Sequence, residues 1–89
     1  MTTPPLGTEA EAMALPAVRA IYEANREGRA TLSEGNAAEL RRVLSGAGVE
    51  LGAWEDHLVG WFAGWEVPVI AGALCRWVSE AHEAGKAGR

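Results

Sequence analysis

Trp54, Leu58, Trp61, Phe62 and Trp65 fall at i, i+4, i+7, i+8 and i+11. That spacing draws one continuous face of an α-helix and does not fit the alternation of a strand. After Glu66, Val67 and Pro68 the same intervals return in Ile70, Leu74, Trp77, Val78 and Ala81. Two apolar faces of equal length, joined by a short Pro-containing turn, are expected to pack on each other with the aromatic rings in the seam. Glu55 and Asp56 stand in the first turn of the Trp helix, where negative charge suits the helix dipole. Pro68 suits the first turn of the helix that follows, where its missing N–H has no partner to lose.

Upstream the pattern is also helical. Pro16 opens a segment whose Leu15, Val18, Ile21 and Tyr22 share a face, and Gly28 is its expected stop. Thr8 and Glu11 fit a capping box for a short optional helix over 9–14, which Pro16 would separate from the next. Asn36 with Glu39 fits a second capping box, opening a helix with Leu40, Val43, Leu44 and Ala47 on one face and Arg41 and Arg42 pointing away. Gly46 and Gly48 end it, and Val49 and Leu51 are expected to plug the core. The reading is an all-α domain, a small bundle of about four helices at 16–27, 37–46, 53–65 and 67–84. Residues 9–85 form the single domain, between flexible tails at 1–8 and 86–89.

Composition narrows what such a bundle can do. The chain of 89 residues is 48% hydrophobic and 22% charged, which is globular and not disordered. Net charge is −4, and it is uneven: residues 1–48 carry five Arg against six Glu, while residues 49–89 carry three basic against six acidic groups. An acidic chain is a poor match for nucleic acid, which draws on clustered Lys and Arg. A helix-turn-helix can be drawn over 37–65, but its second helix would offer Glu55, Asp56 and His57 to phosphate. Under that alternative, a small DNA-binding or transcription-regulatory accessory protein, the contacts fall to Arg26, Arg29, Arg41 and Arg42. Leu58 to Cys75 runs for eighteen residues with one charge, close to the lower length for a membrane span. Glu66 and Pro68 lie at its centre and divide two amphipathic halves, so insertion is not expected.

No metal or catalytic signature is present: there is no CxxC, HExxH or Gly-rich phosphate loop. Cys75 and His82 are two turns apart, about 10.5 Å along the axis and too far for one zinc ion without further ligands. The single cysteine excludes an internal disulfide framework and fits a reducing cytoplasm. The N-terminal stretch lacks a basic segment followed by a long apolar one, so no signal peptide is expected. Neither an enzyme nor a bound cofactor is expected.

Two segments, "MALPAVRAIYEANR" (13–26) and "AGVELGAWEDHLVGWFAGWE" (47–66), resemble short acidic proteins of actinobacteria and their phages. In these a "GVELGAxD" stretch leads into "WLAGWEP" and a final apolar helix. Here Trp54 stands where an aromatic is usual, and Val67 intervenes between Glu66 and Pro68. The resemblance implies one cytoplasmic domain from a mobile-element setting; it brings no activity and no site residues.

A domain this small is hard pressed to cover four Trp and a Phe. Ring surface left over from the seam is expected to serve a second subunit, as a homo-dimer, or a protein partner. The candidate interaction surface is Trp54, Trp61, Phe62, Trp65 and Trp77.

Overall fold

The computed structural model describes residues 5–87 of the chain and contains no strand among them. Five helices follow in order: α1 (Glu9–Met13), α2 (Pro16–Arg26), α3 (Leu32–Gly46), α4 (Ala53–Trp65) and α5 (Pro68–Ala87). The all-α bundle expected from the periodicity is what forms. Of the expected tails, residues 1–4 and 88–89 lie outside the described residues. Thr8 caps α1 with its side chain, and Lys86 and Ala87 belong to α5, which runs past Gly85.

Local chemistry sets the helix ends. Pro16 starts α2 where no N–H is needed. α2 and α3 both stop at a glycine of positive φ, Gly28 at 75° and Gly48 at 83°. Each closes a double hydrogen bond back into its helix: Arg29 N–H to Ala24 and Gly28 N–H to Asn25, then Val49 N–H to Leu44 and Gly48 N–H to Ser45.

The start of α3 departs from expectation. It begins at Leu32, capped by Thr31, whose Oγ1 accepts from Glu34 N–H at 3.1 Å while Glu34 Oε1 accepts from Thr31 N–H at 2.8 Å. The reciprocal box at Thr31 therefore displaces the one read at Asn36 and Glu39, and adds more than a turn to the helix. The hydrogen bond from the Thr31 backbone holds the Glu34 carboxyl below the usual carboxylate range. A depressed folded-state pKa means this capping stabilises above the ordinary carboxylate pKa and is lost on acidification.

α3 is the central element. α4 and α5 both pack against it, while α2 packs against α3 and α5, and α1 against α5. The expected α4–α5 seam does not form; those two helices make at most marginal contact with each other. The core is Ala37, Leu40 and Val43 from α3, Val59 and Ala63 from α4, and Cys75 from α5. Leu44, Leu51, Phe62, Leu74 and Val78 pack around it, whereas Val49 is exposed and plugs nothing.

Small residues make the close approaches possible. A Cβ at Gly72 would stand 2.4 Å from Val18 Cγ2, and one at Gly35 would stand 2.8 Å from Ile21 Cγ2. Both glycines let α2 sink onto its neighbours, burying Val18 and Ile21.

One polar residue sits in the interior. Asn36, 1% exposed, donates from Nδ2 to Ala63 O at 3.2 Å and Glu66 O at 2.9 Å. These are carbonyls at the C-terminal end of α4 that the helix itself cannot satisfy. Asn36→Ala is expected to lower the free energy of unfolding by about 1–3 kcal/mol, because it leaves buried acceptors without a donor. Urea melts beside a Ser33→Ala control on the exposed side of α3 would measure this. A midpoint matching the control would show that those carbonyls do not depend on Asn36.

Candidate interaction surface

α4 carries two apolar faces. With about 100° of rotation per residue, Trp54, Leu58, Trp61 and Trp65 share one narrow arc, and Val59 and Ala63 lie roughly opposite. The structure buries the small face and leaves the large one outside. Trp54 is 71% exposed, Trp61 60% and Trp65 74%, with Leu58 also open to solvent. The sequence reading of these rings as core is therefore wrong.

Three observations explain the reversal. Asn36 holds the C-terminal end of α4 by its carbonyls. Arg41 holds the N-terminal end, donating from Nε to Asp56 Oδ1 at 2.7 Å and from Nη2 to Asp56 Oδ2 at 3.3 Å. Between these two anchors Val59 and Ala63 pack against Leu40 and Val43 of α3, with Phe62 beside them.

Among the expected surface residues, Trp61 and Trp65 lie together, their ring centroids 5.9 Å apart and tilted by 47°. Trp54 shares their stripe. Phe62 does not: it is half-buried against the core and flanks the small face. Trp77 is 60% exposed on α5, on a line with exposed Ile70. That line is likewise the outer one, since α5 turns Pro68, Ala71, Gly72 and Cys75 inward. Gly64 is exposed beside Trp61 with open space where a Cβ would stand.

The Arg residues of the nucleic-acid alternative are scattered and mostly engaged. Arg29 pairs with Glu27, Arg41 with Asp56, and Arg42 with Glu39 at 2.7 Å. The hydrogen bonds Arg42 donates to Glu39 raise its guanidinium pKa further, so its charge is permanent and locally answered. Arg26 is exposed at the end of α2, near Met13, Arg19, Tyr22 and Glu23.

Cys75 lies at the edge of a hollow of about 160 Å³ shared by α2, α3 and α5. Burial, reinforced by the Glu39 carboxylate and partly offset by Arg42, pushes its thiol up to about 11. It is therefore a protonated packing group at neutral pH. Among the described residues no three His, Cys, Asp or Glu side chains gather to hold a metal ion, and no helix is long and apolar enough to cross a membrane. The apolar run from Leu58 to Cys75 is cut at Glu66 and Val67, between α4 and α5.

No family model, no curated protein and no solved structure matches the chain.

Two outcomes follow from this placement. Trp61→Ala is expected to change stability by about 0.5 kcal/mol or less, as surface substitutions do, and not by the ~3–5 kcal/mol of a core aromatic. A loss in the core range in urea melts would place that ring inside. Cys75 is expected to resist iodoacetamide at pH 8 in the folded protein and to react fully in urea. Equal rates in the two conditions would contradict its burial.

Proposed function

We propose that the chain is a small, non-enzymatic protein-interaction module of the cytoplasm, whose working surface is the Trp face of α4. The observation that carries this reading is the exposure of Trp54, Trp61 and Trp65 along one stripe of a helix anchored on its opposite side. Those three rings present roughly 500 Å² of surface, from the usual area of an indole side chain. Contiguous apolar patches of that size on a monomer commonly mark interaction sites. Trp is also among the residues that dominate binding energy at protein interfaces.

The non-enzymatic part is supported by what the polar side chains are already doing. Asn36, Arg41, Glu34 and Glu55 each tie backbone or helix ends together, and Glu39 is held by Arg42. The buried, protonated Cys75 suits a reducing compartment.

The test is a triple substitution, Trp54→Ser, Trp61→Ser and Trp65→Ser, with circular dichroism and a urea melt to show that the fold persists. Wild type is expected either to capture a specific protein from extract of its native host or to self-associate in sedimentation equilibrium, and the triple variant to do neither. A wild type that captures the same set as the variant and stays at 9.4 kDa would overturn the reading. Retention on heparin with a steep salt dependence would redirect it to nucleic acid.

A further inference from the structure

We propose that the occupant of the Trp face is a cationic, apolar helical segment of a different protein. This rests on the interaction reading above and narrows it. The charges around the stripe select the occupant.

Residues 43–75, which span all of α4 and the first turns of α5, contain no Lys or Arg, yet hold Glu50, Glu55, Asp56 and Glu66. Asp56 is answered by Arg41 from α3. Among the described residues Glu50, Glu55 and Glu66 have no cationic partner, and they stand as an acidic border towards the two ends of the apolar strip. Glu55 also accepts a hydrogen bond from Gly52 N–H at 2.9 Å.

That border disfavours a second copy. Pairing α4 with α4 about a two-fold axis either runs the helices antiparallel, setting Glu55 beside the other copy's Glu66, or parallel, setting Glu55 beside Glu55. Acid meets acid both ways, and no Lys or Arg within 43–75 relieves it. An anionic lipid surface is repelled by the same border. A segment carrying Leu-like side chains on one face and Lys or Arg at its margins meets every part of the surface. Apolar groups cover the indoles, and cations reach Glu55, Glu66 and the indole faces, which attract positive charge. The stripe spans about 16 Å from Trp54 to Trp65, or three turns of a partner helix. At the edge of the stripe, exposed Gly64 leaves open space where a Cβ would stand.

The probes are two designed amphipathic peptides of about 18 residues, five helical turns. One has a Leu face and a Lys face; the other has Glu in place of Lys. Binding is read by anisotropy of a peptide fluorophore, against wild type, the triple Trp→Ser variant and Glu55→Gln/Glu66→Gln. The Lys peptide is expected to bind wild type and to weaken severalfold between about 0.05 and 0.5 M salt, as screening dictates. It should bind at least roughly tenfold more weakly to the Trp variant, about 1.4 kcal/mol, and also lose affinity for the Gln variant. The Glu peptide should bind at least as weakly as the Trp variant does.

Equal binding of both peptides, or full binding by the Trp variant, overturns the proposal. A doubled mass in sedimentation equilibrium that the triple variant abolishes also overturns it, in favour of a second copy, while leaving the interaction reading intact. A shift of Trp emission on phosphatidylcholine vesicles, with no response to the Lys peptide, overturns it in favour of a lipid surface. A monomer whose emission answers neither peptides, vesicles nor host extract overturns both.

Discussion

The two hydrogen bonds from the Asn36 amide to the Ala63 and Glu66 carbonyls decide which way α4 faces. A helix leaves its last carbonyls without partners, and burying them unsatisfied is costly. Asn36 stands on the side of α3 that also carries Leu40 and Val43, so satisfying those carbonyls brings the Val59 and Ala63 face onto the core. Arg41, five positions on, meets Asp56 at the other end of α4. This second pair is exposed and contributes little energy by itself. It meets α4 at the end opposite Asn36 and favours the same orientation of the helix. Asn36 Oδ1 has no hydrogen-bond donor among the described residues, so the amide acts through its donor side alone.

Once α4 is fixed, packing decides the rest. α3 lies between α4 and α5, and α2 closes the open side through Val18 against Gly72 and Ile21 against Gly35. The backbone spans only 18 Å in its shortest direction, so there is little depth in which to hide indole rings. Each helix turns its small residues inward: Ala37 on α3, Val59 and Ala63 on α4, Ala71, Gly72 and Cys75 on α5. The bulk of the aromatic surface is left facing out. An interior built from Ala, Val and Gly gives close helix contacts at the cost of buried area, which is scarce in a chain this short.

The same arrangement joins structure to the proposed activity. Carboxylates and guanidinium groups on the α2–α3 side answer each other, as in Arg29 with Glu27 and Arg42 with Glu39. On the α4 side, among the described residues, Asp56 is the one carboxylate paired with a cation, Arg41 of the neighbouring helix. Apolar and acidic character therefore coincide on one part of the surface, and a partner must supply both what is greasy and what is positive.

Helical periodicity, Pro16 and Pro68, and the glycine stops determined the class of fold and placed α4 and the start of α5 from the sequence alone, because these are local effects of backbone geometry. The inner faces of α2 and α3 were legible too, since each has one apolar stripe: Val18 and Ile21 in the first, Leu40 and Val43 in the second. α4 and α5 have two apiece. Apolar area ranks Trp54, Trp61 and Trp65 above Val59 and Ala63, and so points to the wrong face. What overrules it is a tertiary hydrogen bond from a residue 27 positions away, whose side chain looks in the sequence like a helix cap. Thr31 fills that capping role instead, five residues earlier. The sequence by itself thus determined that the chain is a helical bundle with three Trp on one stripe. Whether that stripe is core or surface was decided only by tertiary structure, because the choice depends on the volume between α3 and α4 and on where Asn36 and Arg41 reach.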